Sequence, residues 1–287
     1  MEIDVLAGTV QPVDKTIAAK AQERFDNLIK PVGSLAKLEE MATRYAAIYG
    51  SADKNEVNYP CKTVLFWTDD ALTAAEYMQG TKPACVLAEN SGVKSQTFLV
   101  TSESIEEALL EGALLAKEAI GTNGGQQVLA LGSVDSSVPQ YNAENFEAGG
   151  YDFLNQLGSR TIAAMAGAVL QAAALKVPVM LDGAASCLAA ALAAVKYNAA
   201  AADYVFAGHV SAEAGMEELL QKLGLSAPLR LDIKICRGEG AILALSLLDA
   251  GIKAYKEMET FAEAGVHVEV KEFSHAEEIK AGKQGAK

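Results

Sequence analysis

The feature that most constrains the fold is an alternation of short apolar runs with long stretches of helical periodicity. The runs are KTVLFW (62–67), VKSQTFLV (93–100), QQVLAL (126–131), KVPVML (176–181), DYVFAG (203–208) and RLDIKI (230–235). Most are apolar almost without interruption, so both faces of each strand must be covered, as happens in a parallel sheet between helical layers. Helical stretches at 103–119, 159–174, 186–198 and 211–223 supply the crossovers that parallel neighbours need. The expectation is an α/β protein with a doubly wound, mainly parallel sheet flanked by helices.

The two ends read differently. Residues 14–30 and 34–49 form two helical patterns separated by KPVGS, with Pro31 and Gly33 as breakers and Ser34 as the candidate N-cap. A last long helix runs from Glu239 to about 262. Packing the first helices against the last gives a small helical domain (1–50 with 239–270) beside an α/β domain of 51–238, followed by a polar tail, 271–287.

Composition narrows the partners. A net charge of −13 lacks the basic footprint that nucleic acid or an anionic membrane requires. The first residues, MEIDVLAGTV, show no basic region followed by an apolar core. The longest apolar run, TIAAMAGAVLQAAAL (161–175), falls short of the roughly 18 residues a membrane span needs. A cytoplasmic chain is expected. Cys61, Cys85, Cys187 and Cys236 form no C-x-x-C pair, and His209, His267 and His275 have no ligand spacing. Reduced, buried thiols are therefore expected, with no metal site.

Neither G-x-G-x-x-G after a strand nor G-x-x-x-x-G-K-[ST] occurs. The segment 123–150 gathers Gly, Ser and Asn beyond a strand end, where open α/β sheets hold their ligands. Within it, LGSVDSS (131–137) is either a Ser-rich loop or a source of amides and hydroxyls for a phosphate. In LDGAAS (181–186), Asp182 is a candidate to bind a ribose, to orient a loop, or simply to cap the next helix. In GHVSAEAG (208–215), Ser211 and Glu213 are candidate caps of the following helix. His209 with Ser211 makes no hydrolase pair, since there is no nucleophile elbow and no orienting acid is apparent. In CRGEGA (236–241), Glu239 opens a helix whose dipole favours its ionised form. It is a catalytic carboxylate or a capping residue.

Several longer stretches, taken together, resemble one family. RFDNLIKPVGSLAKLEEMA (24–42) resembles I-D-N-L-T-K-P-P-G-S-L-G-R-L-E, the N-terminal signature of the nicotinate-nucleotide:dimethylbenzimidazole phosphoribosyltransferases. TIAAMAGAVLQAAALKVPVMLDG (161–183), AGHVSAEAG (207–215), LDIKICRGEGAILAL (231–245) and EMETFAEAGV (257–266) resemble further family segments in the same order. Residues 50–150 resemble the family poorly. The resemblance implies a Rossmann-like sheet, a small helical domain and a dimer whose sites draw on both subunits. It also implies transfer of phosphoribose from nicotinate mononucleotide to an aromatic base, the lower ligand of a cobamide, with no cofactor. By matching position, the substrate-binding candidates are Pro31, Gly33, Ser34, Ser133, Ser136, Asp182, Gly183, Ser186, His209, Ser211 and Gly238.

The chain departs from this family where the chemistry should be. The family's general base is the glutamate of L-D-L-R-L-G-E-G-T-G-A. Aligning LDIKICRGEGAILAL without gaps puts Cys236 at the first glycine, Arg237 at the glutamate and Glu239 at the threonine. Arginine, with a pKa above about 12, cannot accept the proton. GSVDSSVP (132–139) stands in place of the family's G-E-M-G-I-G-N-T, with Ser133 at its glutamate, and TDDALTAAEYMQG (68–80) in place of its D-H-G-V segment. A branch of the family that activates phenolic lower ligands works as a heterodimer of homologous chains, and this sequence resembles the degenerate member of such a pair. The alternatives are a complete transferase, pairing with itself as a homodimer and using Glu239 as base and the Asp135–Ser137 loop for phosphate, and a non-enzymatic binder of a nucleotide or aromatic ligand.

Overall fold

The computed structural model describes residues 2–135 and 159–266. Five parallel strands make the main sheet: β1 (Cys61–Thr68), β2 (Lys94–Leu99), β3 (Gln127–Ser133), β4 (Val179–Leu181) and β5 (Val205–Ala207), in the order β2-β1-β3-β4-β5. Trp67 pairs with Ser133, Leu131 with Leu181 and Leu181 with Ala207, so the carboxyl ends line up along one edge. The strand order reverses beside β1, where doubly wound sheets open a ligand crevice. β3, β4 and β5 are buried throughout, as their continuous apolar runs require.

Helices α1 (Ile3–Thr9), α2 (Lys15–Asp26) and α3 (Lys37–Tyr49) precede the sheet. α4 (Ala71–Met78) and α5 (Pro83–Asn90) connect β1 to β2, and α6 (Ile105–Gly121) connects β2 to β3. After β3 come α7 (Arg160–Ala174) and, beyond β4, α8 (Ala184–Leu192). A π-helical turn (Ala193–Tyr197) and a 3-10 turn (Ala199–Tyr204) then lead into β5. The chain closes with β6 (His209–Val210), α9 (Met216–Lys222), β7 (Leu229–Arg230) and α10 (Glu239–Glu257). Ser104 and Glu107 form a reciprocal capping box at the start of α6.

The first and last helices pack together. The Phe25 and Tyr255 rings lie 5.2 Å apart, Arg24 Nε donates to the Tyr255 carbonyl at 2.9 Å, and Leu28 bridges Thr260 in antiparallel sense. Lys30 and Glu39 form a buried ion pair at 2.9 Å.

Several expectations are corrected. RLDIKI adds no strand to the main sheet: only Leu229–Arg230 is extended, and it pairs with β6 in a separate two-stranded ladder. Asp232, at φ 54°, turns the chain out of strand geometry, and Leu231 and Ile235 are exposed. Ser34 does not cap α3, whose N-cap is Ala36. The Glu39 carboxylate instead reaches back to the Leu35 N–H at 2.9 Å. The expected helix 186–198 is α8 followed by the π turn, and α10 ends at Glu257 rather than near 262. α1, α4 and α5 have no counterpart in the reading from sequence.

Candidate functional site

Two corners meet at the carboxyl edge of the sheet, joined by the segment 236–239 that leads into α10. One corner is built by β4, β6 and the turn before α8. Asp182 leaves β4 fully buried, and its Oδ2 accepts from the Gly238 N–H at 2.6 Å. Its other oxygen, Oδ1, lies 3.0 Å from Nδ1 of the buried His209. Through its bond to Gly238, Asp182 contacts the turn that opens α10, while Gly183, not Asp182, occupies the N-cap of α8. His209 therefore does face an acid, contrary to the reading from sequence. The two residues are 27 positions apart, and adjacent strand ends bring them together.

The neighbouring hydroxyls serve the turns around this corner. Ser186 Oγ accepts from the Asp182 N–H at 2.9 Å and donates to the Gly183 carbonyl at 3.0 Å. Ser211 Oγ donates to Glu213 Oε2 at 2.9 Å. Neither Ser211 nor Glu213 caps α9, whose N-cap is Gly215. Glu213 Oε2 accepts from the Ala184 N–H at 2.8 Å and so caps α8, because the β6 turn lays this carboxylate over that helix start. Gly240 allows the closest approach: a Cβ there would fall 2.0 Å from His209 Nδ1 and 2.6 Å from Asp182 Oδ1. Cys236 Sγ completes the corner, 3.8 Å from His209 Nε2. Burial, with Asp182 and Glu213 nearby, pushes the Cys236 thiol well above its usual pKa.

The second corner lies at the ends of β1 and β3. The 236–238 segment crosses β3 so closely that a Cβ on Gly132 would lie 2.3 Å from the Arg237 carbonyl oxygen. Gly238, at φ 117°, makes the turn from this crossing into α10. Arg237 and Glu239 both act electrostatically on the Tyr77 phenol of α4, which burial pushes up to about 12 while Arg237 opposes the rise. Tyr77 packs on Phe66 of β1, centroids 5.1 Å apart. Glu239 is the first residue of α10, and its Oε2 accepts from the Arg237 N–H at 2.7 Å. Burial raises its pKa against the lowering effect of backbone hydrogen bonds.

Ser133 ends β3 in a buried position, and Asp135 lies just beyond it, where Oδ1 takes a long 3.4 Å bond from the Asp69 N–H. Ser136 and Ser137 fall outside the described residues. Arg160, first residue of α7, bridges the mouth by an ion pair to Asp69 at 2.8 Å and a hydrogen bond to the Ser102 carbonyl at 3.0 Å. Sequence reading missed Asp69, Tyr77 and Arg160. A charged residue directly after a strand or at a helix start, as Asp69 and Arg160 are, was the available signal.

Pro31, Gly33 and Ser34 are not at this edge. They lie exposed in the α2–α3 turn, and the Ile29 N–H donates to the Glu259 carbonyl at 3.0 Å, beyond the far end of α10. Across the 19 residues of α10 that is about 28 Å from Gly238.

Among the described residues no helix is long and apolar enough to cross a membrane. The chain is similar to the nicotinate-nucleotide–dimethylbenzimidazole phosphoribosyltransferase of Citrifermentans bemidjiense, at 28% identity over 90% of this chain and 96% of that one. It is 29% identical to the protein of the same name from Geobacter sulfurreducens, over 89% of this chain and 95% of that one. In fold it is similar to the enzyme of that name from Thermus thermophilus, with a TM-score of 0.76 at 23% identity over 89% of this chain and all of that one. The family model described as a phosphoribosyltransferase (DBI_PRT) matches residues 10–98 and 133–266, extending through 50–98, where the resemblance by motif was weak. On a match covering most of its length, the chain belongs to the DBI_PRT phosphoribosyltransferase family.

Proposed function

We propose that this chain is the non-catalytic member of a two-chain phosphoribosyltransferase. The complex would move phosphoribose from nicotinate mononucleotide to an aromatic lower-ligand base, phenol or benzimidazole in type, of a cobamide. The reading rests on one observation: Arg237 stands where the family carries its general base, and the neighbouring carboxylate, Glu239, is turned onto the Arg237 N–H at 2.7 Å. A guanidinium cannot take the proton of the incoming base. A carboxylate committed to its own turn must break that bond before it can act.

The α2–α3 turn suits a supporting role. Pro31, Gly33 and Ser34 match the family signature yet lie exposed at the far end of α10 from the crevice, so their use of substrate would be across a subunit interface. In this reading the chain contributes that turn, and the helical unit of 1–50 with 239–270, to a homologous catalytic partner. Asp182, Gly183, Ser186, His209, Ser211 and Gly238 keep the shape of the edge rather than bind substrate.

A second reading has its own support. Glu239 is half-buried beside Arg237 with a raised pKa, which is how a carboxylate becomes a better base near neutral pH. In that case the chain is a complete transferase with a rearranged site.

The deciding experiment incubates the purified chain with nicotinate mononucleotide and either dimethylbenzimidazole or phenol, following nicotinate release. The supporting-subunit reading expects no release by the chain alone, and release above the homologue's own rate once a homologue with the intact base motif is added. Turnover by the lone chain, abolished in Glu239→Gln, would establish the second reading. Saturable ligand binding with no turnover in any combination would leave a binding protein instead.

A further inference from the structure

We propose that Asp182, His209 and Cys236 form a binding site for one thiophilic divalent cation of the zinc class, tying the segment before α10 to the carboxyl edge of the sheet. The three offer one carboxylate oxygen, one imidazole nitrogen and one sulfur, all within 4.8 Å of one another, and all three side chains are buried. They come from three separate places in the chain: the end of β4, the start of β6 and the loop into α10.

A second observation points to a ligand. His209 Nδ1 and Asp182 Oδ1 face each other at 3.0 Å, yet their angles make no hydrogen bond, and neither atom has another hydrogen-bond partner among the described residues. His209 is fully buried and Asp182 is 1% exposed. Buried polar atoms are ordinarily paired, and a buried carboxylate oxygen without a hydrogen bond, beside a thiol that faces His209 Nε2, leaves a place that one cation bound through Nε2 would fill.

The distances are close to what ligation requires. Zinc bonds of about 2.3 Å to sulfur and 2.0–2.1 Å to nitrogen hold tetrahedral ligand atoms roughly 3.5 Å apart. Sγ and Nε2 are 3.8 Å apart here, so side-chain shifts of about 1 Å or less bring the set together. A mixed sulfur, nitrogen and oxygen set excludes magnesium and calcium, which take oxygen ligands, and suits zinc. On binding, Cys236 gives its thiol proton to solvent and His209 ligates as neutral imidazole.

A fourth group, an oxygen, lies on one side. Glu213 Oε2 borders the same spot, since a Cβ on Gly183 would fall 2.3 Å from it and 3.1 Å from Cys236 Sγ. Glu213 also lines a surface cavity of about 340 Å³ with Ser211, Glu217 and Glu218, an acidic mouth that attracts a cation. The thiol is this chain's own feature, because gapless alignment puts Cys236 where the family motif has glycine. The site revises the expectation of no metal drawn from cysteine spacing, and it stands apart from the question of catalysis.

The test uses the full chain, stripped with a chelator, reloaded with zinc or cobalt and dialysed. The expected result is one equivalent of retained zinc, a thiolate-to-cobalt charge-transfer band in the near ultraviolet, and a thermal midpoint raised by zinc. Cys236→Ser should lose the band and the midpoint shift, His209→Gln should bind at least about tenfold more weakly, and Cys85→Ser should behave as the parent. Circular dichroism confirms folding, and if His209→Gln fails to fold, Cys236→Ser decides. Retention of less than a tenth of an equivalent with no cobalt band, or unchanged binding by Cys236→Ser, would overturn the proposal.

Discussion

The two corners of the carboxyl edge have kept different things. At the β4–β6 corner, Asp182, His209, Gly238 and Gly240 interlock at distances no larger residue fits, and this part resembles the family closely. At the β1–β3 corner Arg237, Ser133 and α4 stand where the resemblance by motif is weak, yet strand register and burial are intact. Residues that hold backbone to backbone are fixed by the fold itself. In the supporting-subunit reading, residues that only met a substrate are free to change because another chain does the chemistry.

Four substitutions would sharpen or break that contrast. Gly240→Ala should cost most, about 3 kcal/mol, because its methyl would fall 2.0 Å from His209 Nδ1 and 2.6 Å from Asp182 Oδ1. Urea unfolding would show it, and a change below about 1 kcal/mol would mean the corner is plastic. Asp182→Asn should cost about 2 kcal/mol, by weakening a buried charge-assisted bond to the Gly238 N–H. A near-neutral result in the same assay would mean Asp182 does not anchor α10.

At the other corner, Asp69→Asn should lower stability by less than about 1 kcal/mol, since the Asp69–Arg160 pair is about one-third exposed. A larger loss would show that this mouth is as rigid as its neighbour. Glu239→Gln should have the smallest effect and the opposite sign. The folded pKa of Glu239 lies above its unfolded value, so the ionised form is disfavoured on folding. Its contribution to stability is greatest below the unfolded pKa and falls as pH rises toward the folded one. The glutamine variant should therefore match the parent in acid and be slightly more stable at neutral pH, as chemical denaturation across pH would reveal.

The sheet was legible because its central strands are buried on both faces and carry continuous apolar runs, as VLFW and VLAL do. RLDIKI misled for the same reason reversed: it has the composition of a strand, but Asp232 adopts a left-handed turn that composition does not display. α4 and α5 escaped notice because each is only eight residues long, too short for periodicity to stand out. In the site, Asp182 and His209 were legible singly as polar residues after strand ends, and Glu239 as the residue that opens the last helix. Their contacts were not, because Asp182 is 27 positions from His209 and 56 from its hydrogen-bond partner Gly238. The Asp69–Arg160 pair spans 91 positions, and no local pattern encodes such a meeting.

The packing of the first helices on the last has a consequence for synthesis. Arg24 bonds to the carbonyls of Tyr255 and Met258, and Leu28 pairs with Thr260, so the α2–α3 unit finishes folding only when the end of the chain arrives. At about 5–20 residues per second on the ribosome, Phe25 and Leu28 wait on the order of ten seconds or more for their cover. The central sheet meanwhile has all its strands in hand. A nascent chain of this kind passes through a stage in which all five strands are made while both the helical arm and the sheet face under α10 still lack their cover, the stage at which a chaperone would engage it.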